Sequence, residues 1–209
     1  MSELSDTIIV LLASGQSRRF RRQDKMLADL CGKPLVRRTA DTLKALEARM
    51  LIAVCPKGRS HVAELLEGDF VIATNDKPRA GIGRSIATGA KVAANFKPKA
   101  ILYCLADMPF VEADTFRALR RQLDNATGVQ IVHAGEHNNI RPPAIFSAEC
   151  LEDLSRLDGD RGANEIIRSG NYASVGLCVP KPELRDIDTR DDLEIAADQW
   201  VIRKRYLPT

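Results

Sequence analysis

Three stretches of this sequence combine residue types that handle phosphate and a hard cation. The first is Ser14-Gly15-Gln16-Ser17-Arg18-Arg19-Phe20-Arg21-Arg22-Gln23-Asp24-Lys25, which sets a glycine and small residues ahead of four arginines and a lysine. Small residues let backbone N–H groups approach phosphate oxygens, and the cations neutralise them. No G-x-x-x-x-G-K-[ST] run occurs in the chain, so this is not a Walker A loop. The second is Asp107-Met108-Pro109, directly after the apolar run Ile101–Ala106. A carboxylate there is fixed at a strand end, the proline helps terminate the strand, and the position suits a Mg²⁺ ion bridging phosphates. The plainer alternative is a helix N-cap or turn residue. In the third, Asp186 and Asp188 alternate around Ile187 and are expected on one face of a short strand, so one of them can supply a second carboxylate. Asp191 and Asp192 suit the first turn of the helix that follows.

A fourth segment, Asn75 to Gly89, contains Gly81-Ile82-Gly83-Arg84-Ser85-Ile86. It is superficially like the dinucleotide fingerprint G-x-G-x-x-G, but ends in isoleucine where the last glycine belongs. A nicotinamide dinucleotide site is therefore not expected. Ser85 at a helix start, contacting nucleotide or substrate, fits better.

These residues need elements to hold them. Thr7–Ala13 is a continuous, β-branched apolar run of the kind buried on both faces of a parallel sheet. Further strands are expected at Met50–Cys55, Phe70–Ala73, Ala100–Ala106, Val129–Val132, Ala144–Phe146 and Ala173–Cys178. Helical spacing of apolar residues marks Leu35–Leu46, Arg59–Leu66, Ile82–Ala94, Ala113–Leu123, Ala148–Leu157, Arg161–Arg168 and about Arg190 to Lys204. Such alternation predicts a Rossmann-like, three-layer α/β/α sandwich with a mostly parallel sheet, whose ligands bind beyond the carboxyl ends of the strands. No repeat or linker interrupts it, and residues 1–209 read as one domain.

Composition excludes other classes. The 209 residues carry 31 Lys+Arg against 28 Asp+Glu, a net charge of +3, and 44% are apolar, so the chain is neither disordered nor strongly basic. Aromatics are 5% and interleave with no basic stripe, so no nucleic-acid partner is expected. No stretch approaches about 18 consecutive apolar residues, no membrane association is expected, and Met1 to Asp6 lack the basic leader of a signal peptide, so the protein is expected in the cytoplasm. The cysteines, Cys31, Cys55, Cys104, Cys150 and Cys178, have no C-x-x-C spacing and read as small buried hydrophobes. His133 and His137 read as members of one polar loop, and no histidine-based metal centre is expected.

Taken in order, these pieces resemble the MobA-like NTP transferase family, the nucleotidyltransferases of molybdenum cofactor maturation, from about Ile8 to Ala197. The residues that carry the resemblance are Leu12-Ala13-Ser14-Gly15-Gln16-Ser17-Arg18-Arg19-Phe20 with Lys25, Gly32-Lys33-Pro34-Leu35, Gly81/Ser85/Gly89, Asp107-Met108-Pro109, Gly159-Asp160-Arg161-Gly162-Ala163 and Asp186-Ile187-Asp188-Thr189. The resemblance implies the nucleotide-diphospho-sugar transferase type of fold. It implies a nucleotide site formed by Leu12, Ala13, Ser14, Gly15, Ser17, Arg19, Lys25, Asn75, Gly81, Ser85 and Asp107. Arg19, Lys25 and Asp107 would be catalytic, with Mg²⁺ held by Asp107 and Asp188. The substrates implied are a nucleoside triphosphate and a phosphate-bearing acceptor such as molybdopterin. The L-A-x-G and D-x-G-A forms favour CTP over GTP. A recipient molybdoenzyme or its chaperone is the protein partner implied. The chain departs from the family pattern at Ser14, at Arg21 and at Arg141-Pro142-Pro143, where relatives carry alanine or glycine, glycine, and G-H-P. Two alternatives remain: nucleotidyl transfer to another acceptor such as a sugar or polyol phosphate, and a nonenzymatic nucleotide or cofactor chaperone.

Overall fold

A computed structural model describes residues 2–15, 20, 24–58, 60–135 and 139–206. The strands are β1 (Thr7–Leu12), β2 (Met50–Pro56), β3 (Val71–Asn75), β4 (Ala100–Leu105), β5 (Ile131–Ala134), β6 (Arg141–Ser147) and β7 (Ser174–Leu177). The helices are α1 (Leu35–Lys44), α2 (Ser60–Glu64), α3 (Ile82–Ala94), α4 (Ala113–Asn125), α5 (Leu151–Arg156), α6 (Ala163–Arg168) and α7 (Arg190–Tyr206).

The strands form one sheet in the order β3-β2-β1-β4-β6-β5-β7. Pairs β3/β2, β2/β1, β1/β4 and β5/β7 are parallel, and only β6 runs against its neighbours β4 and β5. Period-2 alternation sends successive residues of the central strands into opposite layers. Ile9, Leu11, Leu102 and Cys104 pack with α1, α2 and α4, through Val36, Ala40, Val62, Phe116 and Leu119. Ile8, Val10, Ile101 and Tyr103 pack with α3, α5 and α6, through Ile86, Ala90, Leu154 and Ile167. This is the three-layer arrangement the alternation predicts. A third, smaller cluster joins Phe20, Leu35, Phe110 and Ile187 to the inner face of α7 through Ala196 and Trp200.

Four expectations need correction. Strand β6 begins three residues before the expected Ala144, because it absorbs Pro142 and Pro143 as a bulge: His133 faces Ala144 while the next residue, Ala134, faces Arg141. Proline has no N–H to donate, and such a bulge asks for none. Residues Asp186-Ile187-Asp188 form no strand; among the described residues, the backbone bond from Ile187 N–H to the Asp107 carbonyl at 3.0 Å ties them to the sheet edge. His133 lies in β5, 2% exposed, rather than in a loop, and His137 lies outside the described residues. Cys55, Cys104 and Cys150 are buried as expected of small hydrophobes, but Cys31 and Cys178 are exposed.

Helix α7 matters because the segment leading into it carries Asp188. The Asp192 carboxylate accepts from Thr189 N–H at 2.8 Å, Thr189 Oγ1 at 2.7 Å and Asp188 N–H at 3.1 Å, while Asp192 N–H donates to Thr189 Oγ1 at 3.1 Å. This reciprocal cap ties down the backbone of the residue before the helix. The Thr189 hydroxyl and the two backbone donors hold the Asp192 carboxyl below its usual range. A depressed carboxylate stabilises the fold above its unfolded pKa, near 4, and loses that effect as pH falls through the lower folded value. Asp192→Ala should therefore lower stability by about 1 kcal/mol near neutral pH. In urea unfolding across pH, the gap from wild type should close in acid.

Candidate active site

At their carboxyl ends β1 and β4 lie side by side, and the ladder continues beyond both: Ala13 N–H bonds to the Val54 carbonyl at 3.0 Å and Ala106 N–H to the Leu12 carbonyl at 3.2 Å. From β1 the chain goes on to β2 on one flank of this pair and from β4 to β5 on the other, and such a reversal of strand order is where open α/β sheets form crevices. Ser14 and Gly15 leave β1 there, and Asp107 leaves β4. Thr39 Oγ1 donates to the Ala106 carbonyl at 3.0 Å, fixing the backbone just before that carboxylate.

Lys25 opens a short 3₁₀ turn, Lys25–Leu27, capped by the Asp24 carboxylate, which accepts from Met26 N–H at 3.1 Å. Its ammonium donates to Asp107 Oδ2 at 2.6 Å and to Asp188 Oδ1 at 2.7 Å. Lys25 is buried, with 7% of its side chain exposed, against 14% for Asp107 and 42% for Asp188. Burial works against the ammonium, but the charge of Asp107 and hydrogen bonds to both carboxylates outweigh it and hold the Lys25 pKa above the ordinary lysine value. Burial also pushes the Asp107 carboxyl up from its usual range, against the pull of the Lys25 charge. Its Oδ1 is buried without a hydrogen-bond partner among the described residues. Two carboxylates thus converge on one cation position, and one of them keeps an oxygen to spare. Among the described residues no group of three or more acidic, histidine or cysteine side chains is placed to hold a metal. Two carboxylates completed by substrate phosphate oxygens is nonetheless the usual Mg²⁺ arrangement, so the residues fit such an ion.

Beside this cluster a cavity of about 340 Å³ is lined by Leu12, Ser14, Gly15, Met26, Pro78, Arg79, Gly81, Ile82, Ser85, Leu105, Asp107 and Asp160. A buried polar chain lies against its inner end. Ser14 Oγ and Ser85 Oγ are 2.5 Å apart, Asn75 Nδ2 donates to Ser85 Oγ at 2.9 Å, and Asn75 Oδ1 accepts from Lys77 N–H at 2.9 Å. Asn75 is fully buried and holds Ser85 from behind. A second cavity of about 320 Å³ shares Leu12, Ile82, Leu105 and Asp160 with the first. Its other walls are mostly apolar, with Ile86, Tyr103, Pro142, Ala144, Ala163 and Ile167, and with Arg141 and Asn164 as polar members. Larger grooves elsewhere, such as one of about 940 Å³ along Trp200 and Arg117, do not include the carboxylate pair.

The structure explains the G-(x)₃-S-(x)₃-G spacing. Gly81 precedes α3, while Ser85 and Gly89 lie one and two turns inside it, all on one face. Ser85 meets Ser14; a Cβ on Gly89 would stand 2.5 Å from Val10 Cγ1; a Cβ on Gly81, at φ +105°, would stand 2.2 Å from the Gly159 carbonyl oxygen. Gly83 adds a second close approach, its N–H bonding the Gly159 carbonyl at 3.0 Å. The Gly159–Gly162 turn is therefore seated on the start of α3, and it brings Asp160 to the wall between the two cavities.

Of the residues singled out from the sequence, Leu12, Ser14, Gly15, Gly81, Ser85 and Asp107 line the first cavity; Asn75 backs it; Lys25 and Asp188 complete the charge cluster. Ala13 is fully buried in the core behind it. Ser17 and Arg19 lie outside the described residues. Asp186 and Asp188 meet different cations: Asp188 bonds Lys25, whereas Asp186 stands 3.8 Å from Arg141. Reading the residues singly missed Asp160, Met26, Pro78, Arg79, Ile82 and Leu105 as lining. The paired glycines around Asp160 were the available signal for a close approach.

A family model described as the MobA-like NTP transferase domain matches residues 9–175. The bifunctional protein GlmU of Ralstonia pickettii is 32% identical over 174 residues, covering 82% of this chain but 37% of that protein. The chain thus spans little more than a third of that relative. The purine catabolism protein PucB of Bacillus subtilis is 25% identical over 198 residues, covering 89% of this chain and 93% of PucB. Among solved structures, a nucleotidyl transferase from Methanothermobacter thermautotrophicus superposes with a TM-score of 0.79 at 22% identity, covering 94% of this chain and 98% of that one. A Mycobacterium tuberculosis protein described in complex with manganese gives 0.71 at 22%, covering 92% and 97%. The molybdopterin-guanine dinucleotide biosynthesis protein A of Archaeoglobus fulgidus gives 0.69 at 18%, covering 93% and 99%.

The glycine seat supplies a structural test. A Cβ on Gly83 would stand 2.3 Å from the Arg161 carbonyl oxygen, a backbone atom that cannot rotate away. Gly83→Ala should lower stability by about 1–3 kcal/mol. It should also make the 158–162 turn the first site of limited proteolysis, whereas wild type resists there.

Proposed function

The chain belongs to the MobA-like NTP transferase family, a family of nucleotidyltransferases, and from that premise we propose that it transfers a nucleotidyl group from a nucleoside triphosphate to a phosphate-bearing acceptor. The proposed pair is CTP and molybdopterin, with pyrophosphate released and with 1–209 acting as one domain. The observation that carries this reading is the Lys25–Asp107–Asp188 cluster at the mouth of the first cavity. Leu12 lines the floor with Ala13 buried behind it, and Gly15, Ser17, Arg19 and Lys25 would serve the phosphates. Among the described residues, a side chain on Gly15 would meet nothing closer than Lys25 Cε at 4.0 Å. Packing against those residues therefore does not require that glycine, whereas a phosphate approaching the backbone would. Ser14, Ser85, Asn75 and Gly81 form the base end.

Asp107 and Asp188 would hold a divalent cation, with Mg²⁺ proposed and manganese named for one similar structure. When bound, such an ion neutralises the triphosphate and polarises the α-phosphoryl group. The acceptor phosphate, seated by Arg141 and the apolar walls of the second cavity, attacks the α-phosphorus in line, and pyrophosphate leaves. Positioning and charge neutralisation suffice, and no protein nucleophile is needed. GTP is the second reading, because the Archaeoglobus neighbour is described as a molybdopterin-guanine dinucleotide protein. The proposed product is handed to a molybdoenzyme or its chaperone.

Pyrophosphate release with molybdopterin, Mg²⁺ and each of CTP, GTP, UTP and ATP tests the proposal. CTP should support turnover, and Asp107→Asn should reduce it by about 10²–10³ while circular dichroism shows the fold retained. Arg19→Ala should raise the KM for the triphosphate. Unchanged turnover in Asp107→Asn would contradict the assignment.

A further inference from the structure

We propose that Lys25 is a counter-ion that keeps the cation position closed until a triphosphate arrives, an inference that rests on the reading above. The ammonium does not stand beside the two carboxylates but between them, 2.6 Å from one and 2.7 Å from the other. Each carboxylate thus gives one oxygen to the lysine, and a divalent ion closing on the pair would compete with it. A buried charge pair of this kind is disrupted only at the expense of leaving a charge uncompensated.

The order of binding follows from that competition. A divalent ion entering alone would have to sit beside the Lys25 ammonium, or displace it from both carboxylates with no new anion to receive it, and like charges at such short range repel strongly. A triphosphate reverses the balance. It supplies oxygens to the ion and an anionic target for the lysine, so the ammonium can leave Asp107 for phosphate as the ion takes its place. The short 3₁₀ turn that presents Lys25 keeps its backbone fixed, and the four-carbon stem provides the reach. Asp107 Oδ1, buried and without a partner among the described residues, is a ready ligand for the incoming ion. The site is thereby selective for the metal–nucleotide complex over free metal.

The test is Mn²⁺ binding without nucleotide, read by electron paramagnetic resonance for wild type, Lys25→Gln and Lys25→Arg. Lys25→Gln removes the charge but keeps a donor, and should bind Mn²⁺ roughly tenfold or more tightly. Lys25→Arg keeps the charge and should bind as weakly as wild type. A purely structural lysine would give no such split. Equal Mn²⁺ affinity in Lys25→Gln and wild type overturns the inference. Wild type offers a second measurement that needs no variant. Lys25 is 5% exposed, so an amine-acylating reagent should modify it far more slowly than Lys33, whose side chain is 53% exposed. Mn²⁺ without nucleotide should leave it protected, and labelling raised by Mn²⁺ alone overturns the inference. The two failures are separable. If Asp107→Asn in the Lys25→Gln background does not weaken Mn²⁺ binding, the cation site itself is misplaced and the functional reading falls too. If it does weaken binding while Lys25→Gln gains nothing, only the counter-ion role falls.

Discussion

A buried ammonium between two carboxylates is the interaction around which this molecule is arranged. Lys25 is 82 residues from Asp107 and 163 from Asp188, so three separate stretches of chain must meet within hydrogen-bonding distance. Parallel pairing of β1 with β4 places Ser14 and Asp107 on adjacent strand ends. The Thr39 hydroxyl holds the Ala106 carbonyl, and Ile187 N–H docks on the Asp107 carbonyl. The Asp192 cap then fixes the segment that carries Asp188. Each of these is an ordinary hydrogen bond worth about 0.5–1.5 kcal/mol. Together they orient charges that would be unfavourable in any other arrangement.

A second constraint is steric. The Gly159–Gly162 turn, whose Asp160 lines both cavities, sits on the start of α3, and it can sit there only because Gly81 and Gly83 have no side chains. On the same helix face, Ser85 reaches Ser14 and Gly89 abuts Val10. One helix therefore does three things at successive turns: it admits a loop, it lends a hydroxyl to the cavity and it packs on the sheet. Spacing of four residues is what lets a single face do all three.

Much of this was legible in the sequence because the signals were periodic or chemically unusual. Helix α3 runs over the very residues its apolar spacing marks, Ile82–Ala94. Strand β4 ends one residue before its expected limit, leaving Asp107 at the sheet edge as the bare sequence suggested. The misses have physical causes. Pro142 and Pro143 disguised the start of β6, because a bulge tolerates residues that a regular ladder rejects. The alternating Asp186-Ile187-Asp188 pattern looked like a strand, yet one hydrogen bond and a buried isoleucine are enough to extend a loop. The partnership of Lys25 with both carboxylates depends on contacts across more than 80 residues of sequence, which no local pattern encodes. Asp160 was quoted within a motif but not seen as cavity lining, because its position follows from where two glycines let the turn settle.

The central claim is that the charge cluster receives a metal-bound nucleoside triphosphate, and titration calorimetry tests it most directly. Purified protein would be titrated with CTP, GTP, UTP and ATP, each with and without Mg²⁺. Under the proposed function, binding should depend on the metal, with CTP preferred. Binding that is indifferent to Mg²⁺, or no binding to any of the four even when the acceptor is added, would contradict it.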